Sequence, residues 1–376
     1  MSDIHVTREL LRAVARGDMS SQALIEIGVQ HLTQWCPTCR EEYEAWKRER
    51  DTPVAPESAL LVLSVLLGRH GRDGQEKEAE AFKDFQSLIE VPHPGRLMKI
   101  YRASRRFRGT SLARMLLDES KRRMPADPAS ADELAEAAEL VLRRSVLKPG
   151  MEDLSVLATL YRANVARLWG RPDEARSRFS QVRSMIRTQG VTDLLVYAEV
   201  DSCEAVFELE LRRFPEAQEL LNRAIALYAL AGQRSRIAHP LITLGLLYHE
   251  LGQSRRAVEV TRQAQGIMGL EPDLRLRVCA QYNIALFLCE SGEPVEAAEV
   301  LEEGREWFVL LQDTYTQVRL VWLEGKIALA LGHLAQAEEL FLSVREEFSR
   351  NSQSYDVAMV CRDLAKIYVK ENRTGI

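Results

Sequence analysis

The sequence predicts an all-α protein, a solenoid of helical hairpins preceded by a small three-helix module. Three observations lead there. Ala175, Ala217, Ala257, Ala297 and Ala337 follow one another at steps of 42, 40, 40 and 40 residues, and Ala135 extends the series backward by another 40. A small residue held in phase at such a period marks stacked helical repeats, whereas a non-repetitive bundle has no reason to keep one. Helix-breaking turns stand just ahead of these alanines, among them Gly170-Arg171-Pro172, Arg213-Phe214-Pro215, Gly292-Glu293-Pro294 and Gly332-His333. Only 20 Gly and 13 Pro occur in 376 residues, which suits long helices.

Composition narrows the class further. A hydrophobic fraction of 46% and a charged fraction of 28% are those of a globular protein, long enough for two domains or one extended array. The net charge of −5 supplies no global basic field for nucleic acid. Met1–Gly17 carries charges throughout and has no apolar core of a signal peptide. The longest apolar run, Ala59–Leu67, falls far below the roughly 20 residues that span a bilayer. A cytoplasmic protein without a membrane partner is expected. Cys203, Cys279, Cys289 and Cys361 lie singly in apolar helical patterns, where a free thiol behaves as a small hydrophobe, so no disulfide framework is expected.

Residues 1–50 do not follow the repeat. Three short helices fit, Thr7–Ala15, Ser20–Gln34 and Pro37–Arg50. Between the second and third stand His31 and the pair Cys36-Pro37-Thr38-Cys39. The pair sets two thiols on one side of a tight turn at a helix start, where the dipole and free N–H groups favour thiolate. His31, a turn earlier, offers a third ligand for tetrahedral Zn²⁺, and His5 is the only other histidine of the module. A structural zinc on His5, His31, Cys36 and Cys39 is the first reading; a redox dithiol and a plain reduced pair stay open beside it. The arrangement looks like the zinc-binding anti-sigma domain, a small helical module with an upstream His, a second His and a CxxC. Four residues separate His31 from Cys36 here, against three more commonly. That resemblance implies a head that binds a second protein, such as a sigma-like factor.

Residues 51–108 read as a helical connector with a basic end. Pro53 and Pro56 stop the preceding helix; an apolar helix (Glu57–Leu67), a glycine-bearing loop and a mixed helix (Gln75–Glu90) follow, until Pro92 and Pro94 break the chain again. Arg96–Arg123 then holds ten Lys or Arg against Asp118 and Glu119, with Tyr101 and Phe107 interleaved. A surface helix whose charges meet acidic faces of the chain is the expected role. A phosphate-backbone contact is the alternative, with no nucleic-acid-reading motif beside it.

Residues 109–376 form the array. Hairpins are expected over 110–145, 152–188, 192–231, 234–268, 272–311 and 314–350, with a capping helix at Gln353–Lys370. In the clearest unit Leu241, Leu244, Leu247 and Leu251 share a helical face, Gly245 admits a second helix closely, and Gly252 ends the helix in the left-handed region. Ala257 and Ala264 face back from the second helix. The unit resembles the tetratricopeptide repeat: Gly245 matches its first small position, Tyr248 its aromatic, and Ala257 and Ala264 its second-helix small positions. In register the same small position falls at Ala205, Ala285, Gly325 and Ala365. The units run to about 40 residues against about 34 in the commonest pattern. Taken whole, the chain resembles bacterial proteins with a zinc-finger-like head and a tetratricopeptide tail.

In such arrays the first helix of each pair lines a groove that binds peptides. Carried onto this register, the groove positions include Glu199, Ser202, Val206, His239, Ile242, Leu246, His249, Tyr282 and Leu286. Beyond them the groove becomes basic around Trp322, with Arg319, Lys326, Arg362 and Lys366. Asn283 stands where some family members hold a peptide backbone or carboxylate. The candidate ligand residues are His249, Tyr282, Asn283, Arg319, Trp322, Lys326, Arg362 and Lys366, suited to an acidic peptide or a chain terminus; plain surface charge over a buried Trp322 and Tyr282 is the other reading. No P-loop, GxGxxG, GxSxG or HExxH occurs, so no catalysis is expected. The function expected is a non-enzymatic interaction scaffold or regulator. A peptide-responsive sensor whose solenoid changes shape is the alternative, and a nucleic-acid-associated protein using Arg96–Arg123 a second.

Overall fold

The fold is that of a computed structural model, which describes residues 78–103, 106–145, 150–189, 191, 193–268, 273–311, 313–351 and 353–373. The three-helix module, with His5, His31, Cys36 and Cys39, lies outside the described residues, as does the apolar run Ala59–Leu67. The described chain is all-α, without a strand, and it divides into two compact units between Ala231 and Gly232.

The first unit holds α1 (78–89), α2 (Arg96–Arg102), α3 (Thr110–Arg123), α4 (Pro128–Arg143), α5 (Met151–Leu168), α6 (Pro172–Thr188), α7 (Leu194–Glu210) and α8 (Phe214–Leu230). The second opens on a 3₁₀ turn, Arg234–Ile237. It continues through α9 (Ala238–Glu250), α10 (Ser254–Ile267), α11 (Leu274–Glu290), α12 (Pro294–Glu303), α13 (Arg305–Leu311), α14 (Thr314–Leu331), α15 (Leu334–Arg350) and α16 (Ser354–Lys370). The helices fall where the hairpins are expected.

Local chemistry sets their ends. The Asp127, Asp193, Asp273 and Asp313 side chains cap α4, α7, α11 and α14, accepting from the N–H groups of Ser130, Leu195, Arg275 and Thr316. Pro172, Pro215 and Pro294 occupy first turns, where the missing N–H costs nothing. Gly252 leaves α9 at φ 73°. Between α7 and α8 the equivalent left-handed residue is Arg212, at φ 60°, a position where a side chain is strained.

Packing follows the repeat. The in-phase alanines Ala135, Ala175, Ala217, Ala257, Ala297 and Ala337 are all fully buried. Within each unit the two helices of a hairpin pack together and successive first helices lie side by side: α3, α5 and α7, then α9, α11, α14 and α16. First helices are therefore covered on most sides, and α7, α9 and α11 bury residues nearly all round. Second helices such as α6, α10 and α15 bury a single stripe. Ala365, at the small position of α16, is exposed, and no described helix covers it. The second helix of the fifth hairpin is broken at Gly304. The buried Gln281 side chain enters the break and donates to the Val300 carbonyl, accepting in turn from Gln265 Nε2 at 2.7 Å.

Residues 93–103, expected as part of a connector, are built onto α4. The buried Glu133 carboxylate accepts from the Gly95 and Arg96 N–H groups, both at 2.8 Å, and from the Arg96 guanidinium at 2.7 Å, with His93 Nδ1 at 3.0 Å. Burial raises the Glu133 pKa, but these donors together outweigh it and hold it below the ordinary value. Arg106 bridges to Asp84 at 2.6 Å, which ties the following loop to α1.

Candidate functional site

The sequence places its candidate ligand residues on α9, α11, α14 and α16, and these helices line one wall of the second unit. Periodicity relates several of them: Tyr282, Trp322 and Arg362 each stand three residues before the small residue of their helix (Ala285, Gly325, Ala365), and Lys326 and Lys366 one residue after it. The wall is apolar at Leu246 and Leu286, both half-buried, and polar toward α14 and α16; Ile242, a groove position by register, is instead buried in the core with Ala238, Ala264 and Ala280.

Its polar end is organised by a residue the sequence reading missed. Asp363 is fully buried on α16. Its Oδ2 accepts from Trp322 Nε1 at 3.0 Å and faces Lys326 Nζ at 3.0 Å; its Oδ1 accepts from Lys366 Nζ at 2.7 Å, and Arg362 Nε stands at 4.0 Å. Burial pushes against ionisation, yet Lys326 and Lys366 outweigh it and hold the Asp363 pKa below the usual range. Lys326 also reaches Glu290 at 4.0 Å, and Glu290 lies 3.5 Å from His249 Nε2. A chain of polar and charged side chains thus crosses four first helices. Trp322 and Tyr282 are 8% and 6% exposed: both are largely core residues that show only an edge to the wall.

Arg319 differs from the lysines. It makes no carboxylate ion pair among the described residues; its guanidinium lies 4.4 Å from the Tyr282 ring centroid and 5.9 Å from that of Tyr315. Asp356 is a carboxylate it influences from farther off: burial raises the Asp356 pKa and Arg319 opposes the rise. Arg362 and Lys366 are half-exposed, at 53% and 52%. Asn283 is buried, its Nδ2 3.7 Å from Cys279 Sγ. His249 stacks on Phe287 with centroids 4.7 Å apart, and its Nδ1 is buried without a hydrogen-bond partner among the described residues. Cys279 and Cys361, expected as buried small hydrophobes, are exposed: one stands on the wall of α11 and the other on an open face of α16.

In the first unit the groove positions Glu199 and Ser202 are buried on α7. Tyr228 donates its hydroxyl to Glu199 at 3.0 Å, and Lys121 of α3 pairs with the other oxygen. Cys203 beside them has its thiol pushed up to about 12, first by burial and then by Glu199. Much of the basic segment is engaged within the same unit. Arg96 and Arg106 bind Glu133 and Asp84, Lys99 donates to the Ser87 carbonyl, Lys121 binds Glu199, and Arg122 and Arg123 clamp Glu119. Hydrogen bonds from Arg122 hold the Glu119 pKa near 2, against some burial, with Arg123 helping. Phe107 is buried and Arg144 stacks on Tyr101.

No family model matches the chain, and no curated protein matches it. Solved structures do. It is similar to a Rap protein complexed with competence and sporulation factor, at 15% identity over 96% of this chain and 98% of that one, with a TM-score of 0.50. It is also similar to aspartyl phosphate phosphatase F from Bacillus subtilis, at 14% identity over 99% and 92%, with a TM-score of 0.55. The fold is tetratricopeptide-like. At these identities the likeness is one of fold alone. No described helix is long and apolar enough to cross a membrane. Among the described residues no cluster of His, Cys, Asp and Glu is placed to hold a metal ion.

Proposed function

We propose that this chain is a non-enzymatic, peptide-responsive regulator. Its second unit takes a short peptide along the wall of α9, α11, α14 and α16, and the bound state is passed on to a protein partner. The observation that supports this best is Arg319, a partly buried guanidinium seated on two tyrosines with no carboxylate at ion-pair distance among the described residues, at the end of an apolar stretch. That combination suits a ligand with apolar side chains followed by an acidic group or a free carboxyl end. A Rap protein of the same fold holds a competence and sporulation factor, which supports a ligand-binding role for the architecture. Sensing suits the fold as well, because repeats touch only their neighbours and small changes at each contact add along the stack.

The test is selection of a random decapeptide display library on the wild-type chain and on an Arg319→Met/Arg362→Met variant. Enrichment of peptides with apolar residues ahead of an acidic end, lost in the variant, is the expected result. No enrichment, or equal enrichment on both proteins, refutes the proposal.

A further inference from the structure

The cations of the wall are not equivalent, and the difference lies in where the chain has placed its own carboxylates. Lys326 and Lys366 share Asp363 at 3.0 and 2.7 Å, and Lys326 has Glu290 beyond it at 4.0 Å. Asp363 is buried, bonded to the Trp322 indole and enclosed by the core of α14, α15 and α16, so it cannot swing away to make room for another anion. Arg319 has no carboxylate at ion-pair distance among the described residues, and Arg362, 53% exposed, is at 4.0 Å the most distant of the three cations around Asp363, whose two oxygens are already taken by Lys326 and Lys366. We infer that Asp363, with Glu290 as a weaker second, is a specificity-determining residue of the peptide site: it neutralises the two lysines from within, so that an incoming carboxylate is read by Arg319 and Arg362. This rests on the peptide-binding reading proposed above.

The physical consequence is selection against excess charge. Four uncompensated cations on one wall would attract any polyanion, whereas two set beside apolar residues favour a ligand with one or two acidic groups and an apolar stretch. A fixed internal anion achieves this without removing the lysines, of which Lys326 still joins α14 to Asp363 of α16.

The experiment uses the full chain and two N-terminally fluorescein-labelled hexapeptides: four leucines followed by two aspartates, and six aspartates. Anisotropy is read for wild type, Asp363→Asn and Glu290→Gln. Asp363→Asn keeps an acceptor for the Trp322 indole and removes one negative charge 4.0 Å from the Arg362 guanidinium. It should tighten the hexa-aspartate by about tenfold and the mixed peptide by less, so that discrimination between the two collapses. Glu290→Gln, at an exposed site where folding is not in question, should shift the hexa-aspartate in the same direction by about threefold. An Asp363→Asn protein with wild-type circular dichroism but unchanged or weaker binding of hexa-aspartate overturns the inference. So does an unchanged Glu290→Gln, and that variant decides alone if Asp363→Asn does not fold. Wild type that binds the mixed peptide while the variants behave like it removes only this inference. Failure of every protein to bind either peptide removes the peptide reading as well.

Discussion

Gly245 is the position where the hairpin packing is most exposed to a one-atom test. A Cβ placed there would lie 2.3 Å from Thr261 Oγ1, 3.3 Å from the Ala257 carbonyl oxygen and 3.5 Å from the Phe287 ring. Thr261 is fully buried, and its hydroxyl donates to the Ala257 carbonyl at 2.8 Å, so it has no free space to enter. Gly245→Ala gains about 1 kcal/mol of helix propensity. Against that stand about 1–3 kcal/mol for overpacking and about 1 kcal/mol for the hydroxyl bond that must be displaced. The net expectation is a loss of about 2 kcal/mol. Thr261→Ala removes the obstructing atom, so Gly245→Ala made in that background should be neutral or stabilising, a coupling of about 2 kcal/mol. The assay is urea unfolding followed by far-UV circular dichroism on the wild type, both single variants and the double variant. Additive effects, or a Gly245→Ala protein as stable as wild type, would refute the close helix approach from which the repeat register is drawn.

Further predictions concern charge and metal. Glu133→Gln should cost about 3–5 kcal/mol, because it strips the counter-ion from an Arg96 only 2% exposed, and a thermal melt reads the loss. Asp363→Asn should lower stability near neutral pH. The Asp363 pKa is depressed in the fold, so its contribution is complete above the unfolded value of about 3.9 and fades as pH falls through the folded one. Urea midpoints of wild type and variant should therefore converge on acidification, and a gap that widens would contradict the sign. Arg212→Gly should stabilise the turn between α7 and α8 by up to about 1 kcal/mol through relief of the left-handed strain, checked by the urea midpoint. For the amino-terminal module, elemental analysis should find zinc in the wild type and none in Cys36→Ser/Cys39→Ser; zinc-free wild type purified without chelator would end the metal reading.

The array was legible because its signal is redundant. The phased alanines are buried, the prolines open helices, and the hairpins stand at their expected positions, since each repeat restates the same packing problem. The wall positions followed from the same register. Other features left no periodic trace. Asp363 sits between Arg362 and Leu364 and reads as one more surface charge; only the fold shows it buried against Trp322, one repeat away. Glu133 lies in an alanine-rich helix whose sequence gives no hint that the segment after Pro94 closes onto it. Gln281 entering the break at Gly304 is equally silent, because the contact depends on a side-chain path and not on a pattern. Trp322 and Tyr282 looked like anchors for a ligand, and aromatic type alone could not tell a wall from a core.

The central claim, a peptide on the wall of the second unit, is tested most directly by hydrogen exchange on the full chain with and without a saturating peptide from the display selection. Slower exchange should concentrate on α11, α14 and α16, with the outer helices α10, α12 and α15 changing least. Protection confined to those outer helices or to the first unit, or none at saturation, would contradict it.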